Sequence, residues 1–323
     1  MNALAGVASA GGTEVTELMD RVEQRMAALA TGHGEILARL AGETIESGGK
    51  RLRPLLVLLT AGVPPPQREE LVRAAVAVEL VHAATLVHDD VLDGSALRRG
   101  RPTVVASAGR RLATATGDLL FSRAFAELAV SGSAGMVRVL ARAAAELAAG
   151  EVMQREDAWR SDVSVSRYLE RCRLKTAVLF RSACELGALE GPRCVSELGA
   201  FGERIGLAFQ ILDDVLDVSG PSARTGKPRG TDLLDGTVTL PLILARDVDP
   251  SLAALDVSAL RSADDALSVC EQIAATGALE QARERALELV AEAKAELPSV
   301  GELGARQRAT LELVADGVVE RYA

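Results

Sequence analysis

The chain has 323 residues, of which 48% are hydrophobic and 2% aromatic, and its formal net charge is −9. Such an acidic chain lacks the basic face that nucleic-acid binding requires, so we expect no nucleic-acid partner. Four cysteines without CxxC spacing and only three histidines argue against a structural zinc site and favour a reducing, cytoplasmic location. The first residues show no secretion signal, and we expect no membrane-spanning segment.

Ala, Leu and Val dominate the composition, and the absence of strand-like alternation predicts an all-α fold. Residues 1–13 are small and polar and are expected to form a mobile tail, followed by a single helical domain at 14–323. Helical periodicity runs first from about residue 14 to residue 41. A second helix follows the Gly48-Gly49 turn and stops at Gly62.

The segment from Glu69 to Asp93 is the clearest helix, because apolar residues run through it without a break. Between Ser219 and Pro241 lies a stretch rich in glycine and proline, and irregular loops of that length inside a domain are usually functional. Further helices are predicted near 107–130, 135–157, 164–190, 195–218, 262–275, 279–296 and 302–320.

The same acidic pattern, Asp-Asp-Val-Leu-Asp, ends two apolar helices, and chain breakers follow each copy. Like charges four residues apart destabilise a helix, and the macrodipole makes its C-terminus negative already. A solvated helix end would explain one copy, but two copies on apolar helices predict a bound cation. Carboxylates without His or Cys favour Mg²⁺ first, then Mn²⁺ or Ca²⁺. The carboxylates are Asp89, Asp90, Asp93, Asp213, Asp214 and Asp217.

Basic residues lie near these motifs in patterns typical of an anion site. Each alone would be read as an ordinary surface cation. Together with the carboxylates they predict a Mg²⁺–diphosphate site in the core of a helical bundle, because Mg²⁺ usually shares its coordination with substrate phosphates. They are Lys50, Arg51 and Arg53 after a glycine turn, Arg98 and Arg99 after the first motif, Lys175 beside Thr176, and Lys227.

In these residues the chain resembles the trans-isoprenyl diphosphate synthases, or polyprenyl synthetases, from about residue 40 to 245. The matching stretches occur in the family order. They are Gly49–Pro54, His82 through the first acidic motif to Gly100, Lys175-Thr176, Phe209-Gln210 through the second motif, Gly226-Lys227, and Gly230–Leu233.

The resemblance implies an all-α homodimer with a central apolar cavity, three Mg²⁺ ions, and condensation of isopentenyl diphosphate with an allylic diphosphate primer. Asp89, Asp93 and Asp213 would hold Mg²⁺ directly, with Asp90, Asp214 and Asp217 acting behind them or through water. The allylic diphosphate would meet Arg98, Lys175, Thr176, Gln210 and Lys227. The diphosphate of isopentenyl diphosphate would meet Lys50, Arg53, His82 and Arg99.

One departure from the family pattern is Thr237, where many members have Lys, so one contact to the allylic diphosphate is missing. Product length is expected to exceed the fifteen-carbon stage. The small residues Ala84 and Thr85, one turn before Asp89, would let the growing tail pass toward the helix of Phe121, and Phe125 is the candidate floor. The released product could then pass to a membrane.

Two other functions remain possible at this point. A terpene synthase shares the first acidic motif and the fold, but its second site would not repeat Asp-Asp-x-x-Asp. A non-catalytic subunit of a hetero-oligomeric synthase should have lost parts of the motifs, and both motifs are intact here.

Overall fold

The computed structural model describes residues 10–31, 34–46, 49, 51–62, 69–98, 100–191, 194–220 and 229–320. These residues are almost entirely helical, which confirms the all-α prediction. The elements up to residue 157 are α1 (Thr13–Leu29), α2 (Glu35–Glu46), α3 (Leu52–Thr60), α4 (Glu69–Asp93), β1 (Leu97–Arg98), β2 (Arg101–Pro102), α5 (Val104–Ala108), α6 (Arg110–Ser131) and α7 (Ala134–Asp157).

The rest of the chain continues with shorter helices and two irregular helical turns. These elements are α8 (Val165–Cys172), a π-helix (Arg173–Ala177), α9 (Val178–Glu190), α10 (Val195–Ser219), α11 (Thr231–Leu234), α12 (Leu240–Val248), α13 (Pro250–Ala253), a 3₁₀ turn (Val257–Ala259), α14 (Ala263–Ala275), α15 (Ala278–Ala295), α16 (Val300–Leu303) and α17 (Ala305–Glu320).

The chain divides into two compact units that alternate along the sequence. Unit 1 contains the described residues of Met1–Ala144, Leu179–Gly202 and Glu296–Val314. Unit 2 contains those of Ala145–Val178, Glu203–Ala295 and Ala315–Ala323. Each unit carries one copy of the acidic motif. The single domain at 14–323 stays a prediction.

Helix α4 forms the centre of unit 1, and its bounds match the predicted ones. Glu69 and Glu70 place negative charge on its first turn, and Gly94 ends it in a left-handed conformation with φ 64°. Within the described residues α4 is the one helix long and apolar enough to cross a membrane. Yet 72% of its apolar window is buried in the protein, as in the core helix of a globular domain.

Helix α3 packs against α4 and is buried from Pro54 to its end. Its last carbonyl groups need partners, because no further helical turn follows them. Gln307 of α17 supplies two, since its Nε2 donates to the carbonyl oxygens of Leu59 at 2.8 Å and Thr60 at 2.9 Å. The end of α3 is therefore closed by a buried side chain from a distant part of the sequence.

A buried ion cluster organises part of unit 2. Asp157, at the end of α7, is 0% exposed and pairs with Arg171 of α8 at 3.2 Å and with Arg167. Arg171 also donates to the carbonyl oxygen of Val238. Breaking such a pair would leave a buried charge without compensation, so this cluster fixes the segment that follows α11.

Three parts of the secondary structure differ from the sequence prediction. The continuous helix at 14–41 is wrong, because α1 ends at Leu29 and Gly34 has φ 81°, which interrupts a helix. The helix at 164–190 is interrupted by the π-helix. Between residues 219 and 261, where no helix was predicted, the structure contains α11, α12 and α13.

Two further details concern the tail and the strands. Residues 1–9 of the expected mobile tail lie outside the described residues. Ala10 is held in place, because Arg306 Nε donates to its carbonyl oxygen at 3.3 Å. A two-residue ladder, which sequence periodicity could not show, pairs Leu97 with Pro102 and Arg98 with Arg101.

Candidate active site

The first acidic motif ends α4 in unit 1. Asp90 is 5% exposed, and its Oδ1 accepts hydrogen bonds from Arg98 Nε at 2.9 Å and Nη2 at 2.8 Å. Asp89 is half-buried and Asp93 is exposed, so the outer carboxylates of the motif reach solvent. The middle carboxylate therefore orients the arginine that the resemblance assigns to the allylic diphosphate.

A short hairpin restrains Arg98 from the other side. Strands β1 and β2 place Arg98 opposite Arg101 in an antiparallel pair. Thr103 follows directly: its hydroxyl donates to the carbonyl oxygen of Ser95 at 2.6 Å and caps α5. The hairpin is thus tied to the end of α4 and to the start of the next helix.

A cleft of about 400 Å³ lies in unit 1 and is lined by His82, Asp90 and Arg98 of the predicted site. Arg53 is not part of this lining. Its guanidinium carbon lies 4.6 Å from the centroid of the Phe180 ring, in a cation–π contact. The cleft lining contains four arginines and three carboxylates, Glu43, Glu79 and Asp90, so positive charge is in slight excess. Its arginines are Arg39, Arg51, Arg98 and Arg101.

The second acidic motif lies near the end of α10 in unit 2. Asp214 is 4% exposed, and its two oxygens accept hydrogen bonds at 2.7 Å from Gln210 Nε2 and from the Tyr168 hydroxyl. Burial, together with the nearby Asp232 carboxylate, raises the pKa of Asp214 well above its usual range. Gln210 Oε1 in turn accepts from the Thr176 hydroxyl at 2.6 Å.

The outer carboxylates of the second motif are more accessible. Asp213 is exposed and Asp217 is half-buried. Asp217 Oδ2 accepts from the backbone N–H of Asp232 at 3.3 Å, which ties it to α11. The two motifs share one pattern, in which the middle carboxylate is buried and bonded to residues of the predicted site while the flanking carboxylates reach solvent.

Lys175 and Thr176 lie on the π-helix, an irregularity that is frequent at functional sites. Lys175 Nζ lies 2.6 Å from Glu151 Oε2 of α7. A Cβ at the neighbouring Gly150 would lie 2.7 Å from the backbone nitrogen of Lys175. The glycine therefore permits the close approach that brings Glu151 beside Lys175.

The segment after α11 carries Thr237, whose N–H donates to the carbonyl oxygen of Asp232 at 2.8 Å. Next to it, the N–H of Trp159 donates to the carbonyl oxygen of Gly236 at 2.9 Å. Trp159 has φ 66°, a conformation that is costly for a bulky residue. A Cβ at Gly236 would lie 2.4 Å from the indole ring, so only glycine fits there.

The donor set of the two motifs fits a hard divalent cation, because the accessible positions offer carboxylate oxygens. In the part of the chain that the structure describes, no group of three or more His, Cys, Asp or Glu side chains is arranged to hold a metal ion. One or two carboxylates, completed by water and substrate phosphates, are the usual ligands of Mg²⁺ in proteins.

The residues expected to govern product length lie on α4 and α6. Ala84 is 0% exposed, whereas Thr85 is partly exposed and its hydroxyl donates to the carbonyl oxygen of His82 at 2.8 Å. The rings of His88 and Phe121 stack, with centroids 5.9 Å apart. Phe125 is half-buried one turn further along α6.

Some predicted residues cannot be placed, and some contributors were missed. Lys50, Arg99 and Lys227 lie outside the described residues. Sequence reasoning missed Tyr168 and Glu151, whose contacts hold Asp214 and Lys175. Tyr168 gave no signal of its own, since its contact with Asp214 joins two helices that are distant in sequence. Glu151 gave none, since its contact depends on the glycine-mediated approach of two helices.

Comparison with known proteins identifies the family. Residues 34–275 match the family model described as polyprenyl synthetase. The chain is 44% identical to heptaprenyl diphosphate synthase component 2 of Geobacillus stearothermophilus, over 65% of this chain and 66% of that relative. It is 36% identical to a prenyl transferase of Synechocystis sp., over 86% of this chain and 88% of the relative.

A solved structure supports the same assignment. The polyprenyl synthase from Caulobacter crescentus CB15, crystallised with calcium and isoprenyl diphosphate, superimposes with a TM-score of 0.88 at 33% identity. The match covers 99% of this chain and 98% of that structure. The chain therefore belongs to the polyprenyl synthetase family and is a prenyltransferase of the trans-polyprenyl diphosphate synthase type.

Proposed function

We propose that the enzyme is Mg²⁺-dependent and condenses isopentenyl diphosphate with an allylic diphosphate to give an all-trans product longer than fifteen carbons. The pattern common to both acidic motifs carries this proposal. In each motif the buried middle carboxylate holds a residue of the allylic diphosphate site, Arg98 or Gln210. The carboxylates beside it reach solvent and would hold the cations, so that each unit would bring metal ligands and diphosphate ligands together.

The residues have distinct tasks in this chemistry. Asp89, Asp93, Asp213 and Asp217 would hold the ions, which when bound supply positive charge to the leaving diphosphate. Arg98 and Lys175 add fixed positive charge, so that the allylic C–O bond breaks and its electron pair stays with the diphosphate. Asp90 and Glu151 hold these two cations in position before the substrate arrives.

The remaining steps need little from side chains except exclusion of water. The double bond of isopentenyl diphosphate attacks the allylic cation, forming one C–C bond, and the new cation then loses a proton to the released diphosphate. No side-chain base is assigned to that proton. The Ala-, Val- and Leu-rich residues of α4 would shield the cation, because water would otherwise capture it.

The metal requirement is tested by changing one accessible carboxylate in each motif. Asp89→Ala and Asp213→Ala should each lower turnover by at least about 10²-fold, because charge stabilisation of the transition state is lost. Circular dichroism checks that the fold is retained. As a matched control, exposed Asp20→Ala on α1 should leave turnover unchanged. Full activity in the presence of a chelator, or in either motif variant, would contradict the proposal.

Product length is proposed to exceed fifteen carbons because no aromatic side chain stands at Ala84 or Thr85. A relative named for heptaprenyl diphosphate supports a long product. Of the two positions, Thr85 is the better one at which to limit product length by substitution. Ala84 is fully buried, and a large residue there would overpack the core. Thr85→Phe should therefore shorten the product, as read by mass spectrometry, and Thr85→Val serves as the control of similar volume. An unchanged product distribution in Thr85→Phe would contradict a role of this position in product length.

A homodimer is proposed as the working assembly, but the relative named component 2 makes a two-component enzyme the alternative. The purified chain alone should elongate the primer. Light scattering should give a molecular mass of twice the 33.8 kDa of one chain. An inactive chain that gains activity only with a second polypeptide would favour the two-component enzyme.

A further inference from the structure

Arg51 joins three helices of unit 1 through a single guanidinium group. Its Nε and Nη2 lie 2.6 Å and 3.3 Å from the Glu23 carboxylate of α1. Nη1 donates to Glu79 of α4 at 3.0 Å, and Nη2 donates to the carbonyl oxygen of Ile45 in α2 at 2.7 Å. Arg51 itself begins α3, so these contacts fix the start of α3 against three neighbours.

The backbone of Arg51 adopts a conformation that the surrounding structure has to stabilise. Arg51 is the N-cap of α3 and has φ 51° and ψ 35°, the left-handed conformation. This conformation is costly for a residue with a Cβ and free of that cost for glycine. The surrounding structure, which includes the three contacts of the side chain, must therefore outweigh the strain of the backbone.

The Arg51–Glu79 pair is largely removed from water, with side-chain exposures of 12% and 4%. A carboxylate as buried as Glu79 needs a compensating charge, and loss of that charge is strongly destabilising. Among the described residues, Arg51 is the cation that lies within salt-bridge distance of Glu79. The pair therefore has one preferred geometry instead of the many open to an exposed ion pair.

This geometry matters because of the neighbours of the pair. Arg51 stands between Lys50 and Arg53, and Glu79 lies one turn before His82 on the same face of α4. Arg51, Glu79 and His82 all line the 400 Å³ cleft. A contact between Arg51 and Glu79 thus couples the start of α3, which carries Arg53, to the helix of His82.

We propose that Arg51 and Glu79 are positioning residues for isopentenyl diphosphate, holding Arg53 at the start of α3 in register with His82 on α4. The inference rests on the proposed function, because it presumes that Arg53 and His82 bind this substrate. Neither Arg51 nor Glu79 is assigned a contact with it. Their removal should therefore weaken binding of isopentenyl diphosphate and leave the allylic site unchanged.

The test compares two buried glutamates of unit 1. Glu79→Gln removes the charge that faces Arg51, while Glu127→Gln removes a charge that faces Arg25 and Arg73, away from the cleft lining. Both residues are at most 5% exposed, so both variants should lose thermal stability. Only Glu79→Gln should raise the KM for isopentenyl diphosphate, by about tenfold for one lost charge-assisted contact. The kcat and the KM for the allylic primer should stay within about twofold of wild type.

Two variants of Arg51 distinguish the effect of its side-chain contacts from the effect of its left-handed backbone. Arg51→Gly keeps the left-handed backbone and loses all three contacts, so its KM for isopentenyl diphosphate should rise at least as much as in Glu79→Gln. Arg51→Lys keeps the charge but cannot reach all three partners at once, and it should give an intermediate value. Calorimetric binding of isopentenyl diphosphate to the full-length protein, without primer, should follow the same order.

Equal KM values in Glu79→Gln and Glu127→Gln would overturn the inference, and so would a parallel rise in both substrate KM values. If Glu79→Gln does not fold, Arg51→Lys decides, since an unchanged KM overturns the proposal and a raised one supports it. A wild-type protein that binds isopentenyl diphosphate but does not elongate any primer would refute the proposed function instead, and calorimetry would still decide the inference.

Discussion

At the scale of single residues, the carboxylates within each acidic motif have different roles that their sequence does not reveal. All six carboxylates are chemically alike, and spacing alone places the first and last Asp of each copy on one helix face. The structure separates the middle one by burial, since Asp90 is 5% exposed and Asp214 is 4% exposed. What a carboxylate does here depends on which hydrogen-bond donors surround it.

Asp90 provides a direct test of this division. Asp90→Asn should raise the KM for the allylic primer, because an amide cannot hold Arg98 as a carboxylate does. Arg98→Ala should raise the same KM. The double variant should be no worse than Arg98→Ala alone, because the two residues act through one contact. Steady-state kinetics gives the KM of the two single variants and of the double variant. If the two single effects on KM add in the double variant, Asp90 acts on a metal ion independently of Arg98.

At the scale of elements, sequence patterns predicted most helices but not their irregularities. The bounds of α4 were predictable because apolar residues run from its acidic first turn to Gly94. The π-helix was not, because hydrophobic periodicity does not mark an extra residue in a helical turn; in the structure this turn lies where α7 approaches closely at Gly150. The break before α2 was missed for a different reason, since one glycine in an otherwise periodic stretch is a weak signal.

The same logic applies to the candidate site. Its carboxylates and cations could be predicted, because charged residues at helix ends and glycine turns are unusual enough to need a ligand. The residues that hold them could not, because Tyr168 and Glu151 meet their partners across helices. Such contacts depend on packing between elements, which hydrophobic periodicity does not encode.

Gly150 allows a prediction about the π-helix. Gly150→Ala should lower both stability and turnover, because its Cβ would lie 2.7 Å from the backbone nitrogen of Lys175 and the backbone cannot yield easily. Gly135→Ala, on the same helix, is the matched control, since the nearest atom to its Cβ lies 3.6 Å away. The control should be neutral or more stable by up to about 1 kcal/mol. Thermal melts and turnover numbers compare the two, and equal behaviour would show that the approach is not tight.

At the scale of the whole molecule, buried thiols should make stability fall at alkaline pH. Burial raises the pKa of Cys172 and Cys184 well above the ordinary range, so both stay protonated in the folded protein. An unfolded chain loses these protons near pH 8.5, so stability is fully present below about that pH and is lost as the pH rises. Each such thiol contributes a slope of about 1.4 kcal/mol per pH unit.

Urea unfolding at several pH values under reducing conditions measures this slope. Cys184→Ala should reduce the slope of unfolding free energy against pH by the contribution of one thiol. This holds whatever the change in unfolding free energy at pH 7. The slope, and not the stability itself, is the quantity to compare. An identical slope in wild type and Cys184→Ala would contradict the prediction.

The bond between Gln307 and the end of α3 has a consequence for how the protein is made. Its partners Leu59 and Thr60 precede Gln307 by 248 and 247 positions. At a synthesis rate of about 5–20 residues per second, the ribosome needs roughly 10–50 s to synthesise the residues between these partners. The nascent chain therefore presents α3 and the apolar helix α4 for tens of seconds before the segment that completes their unit exists, a period in which chaperones would be needed to prevent aggregation.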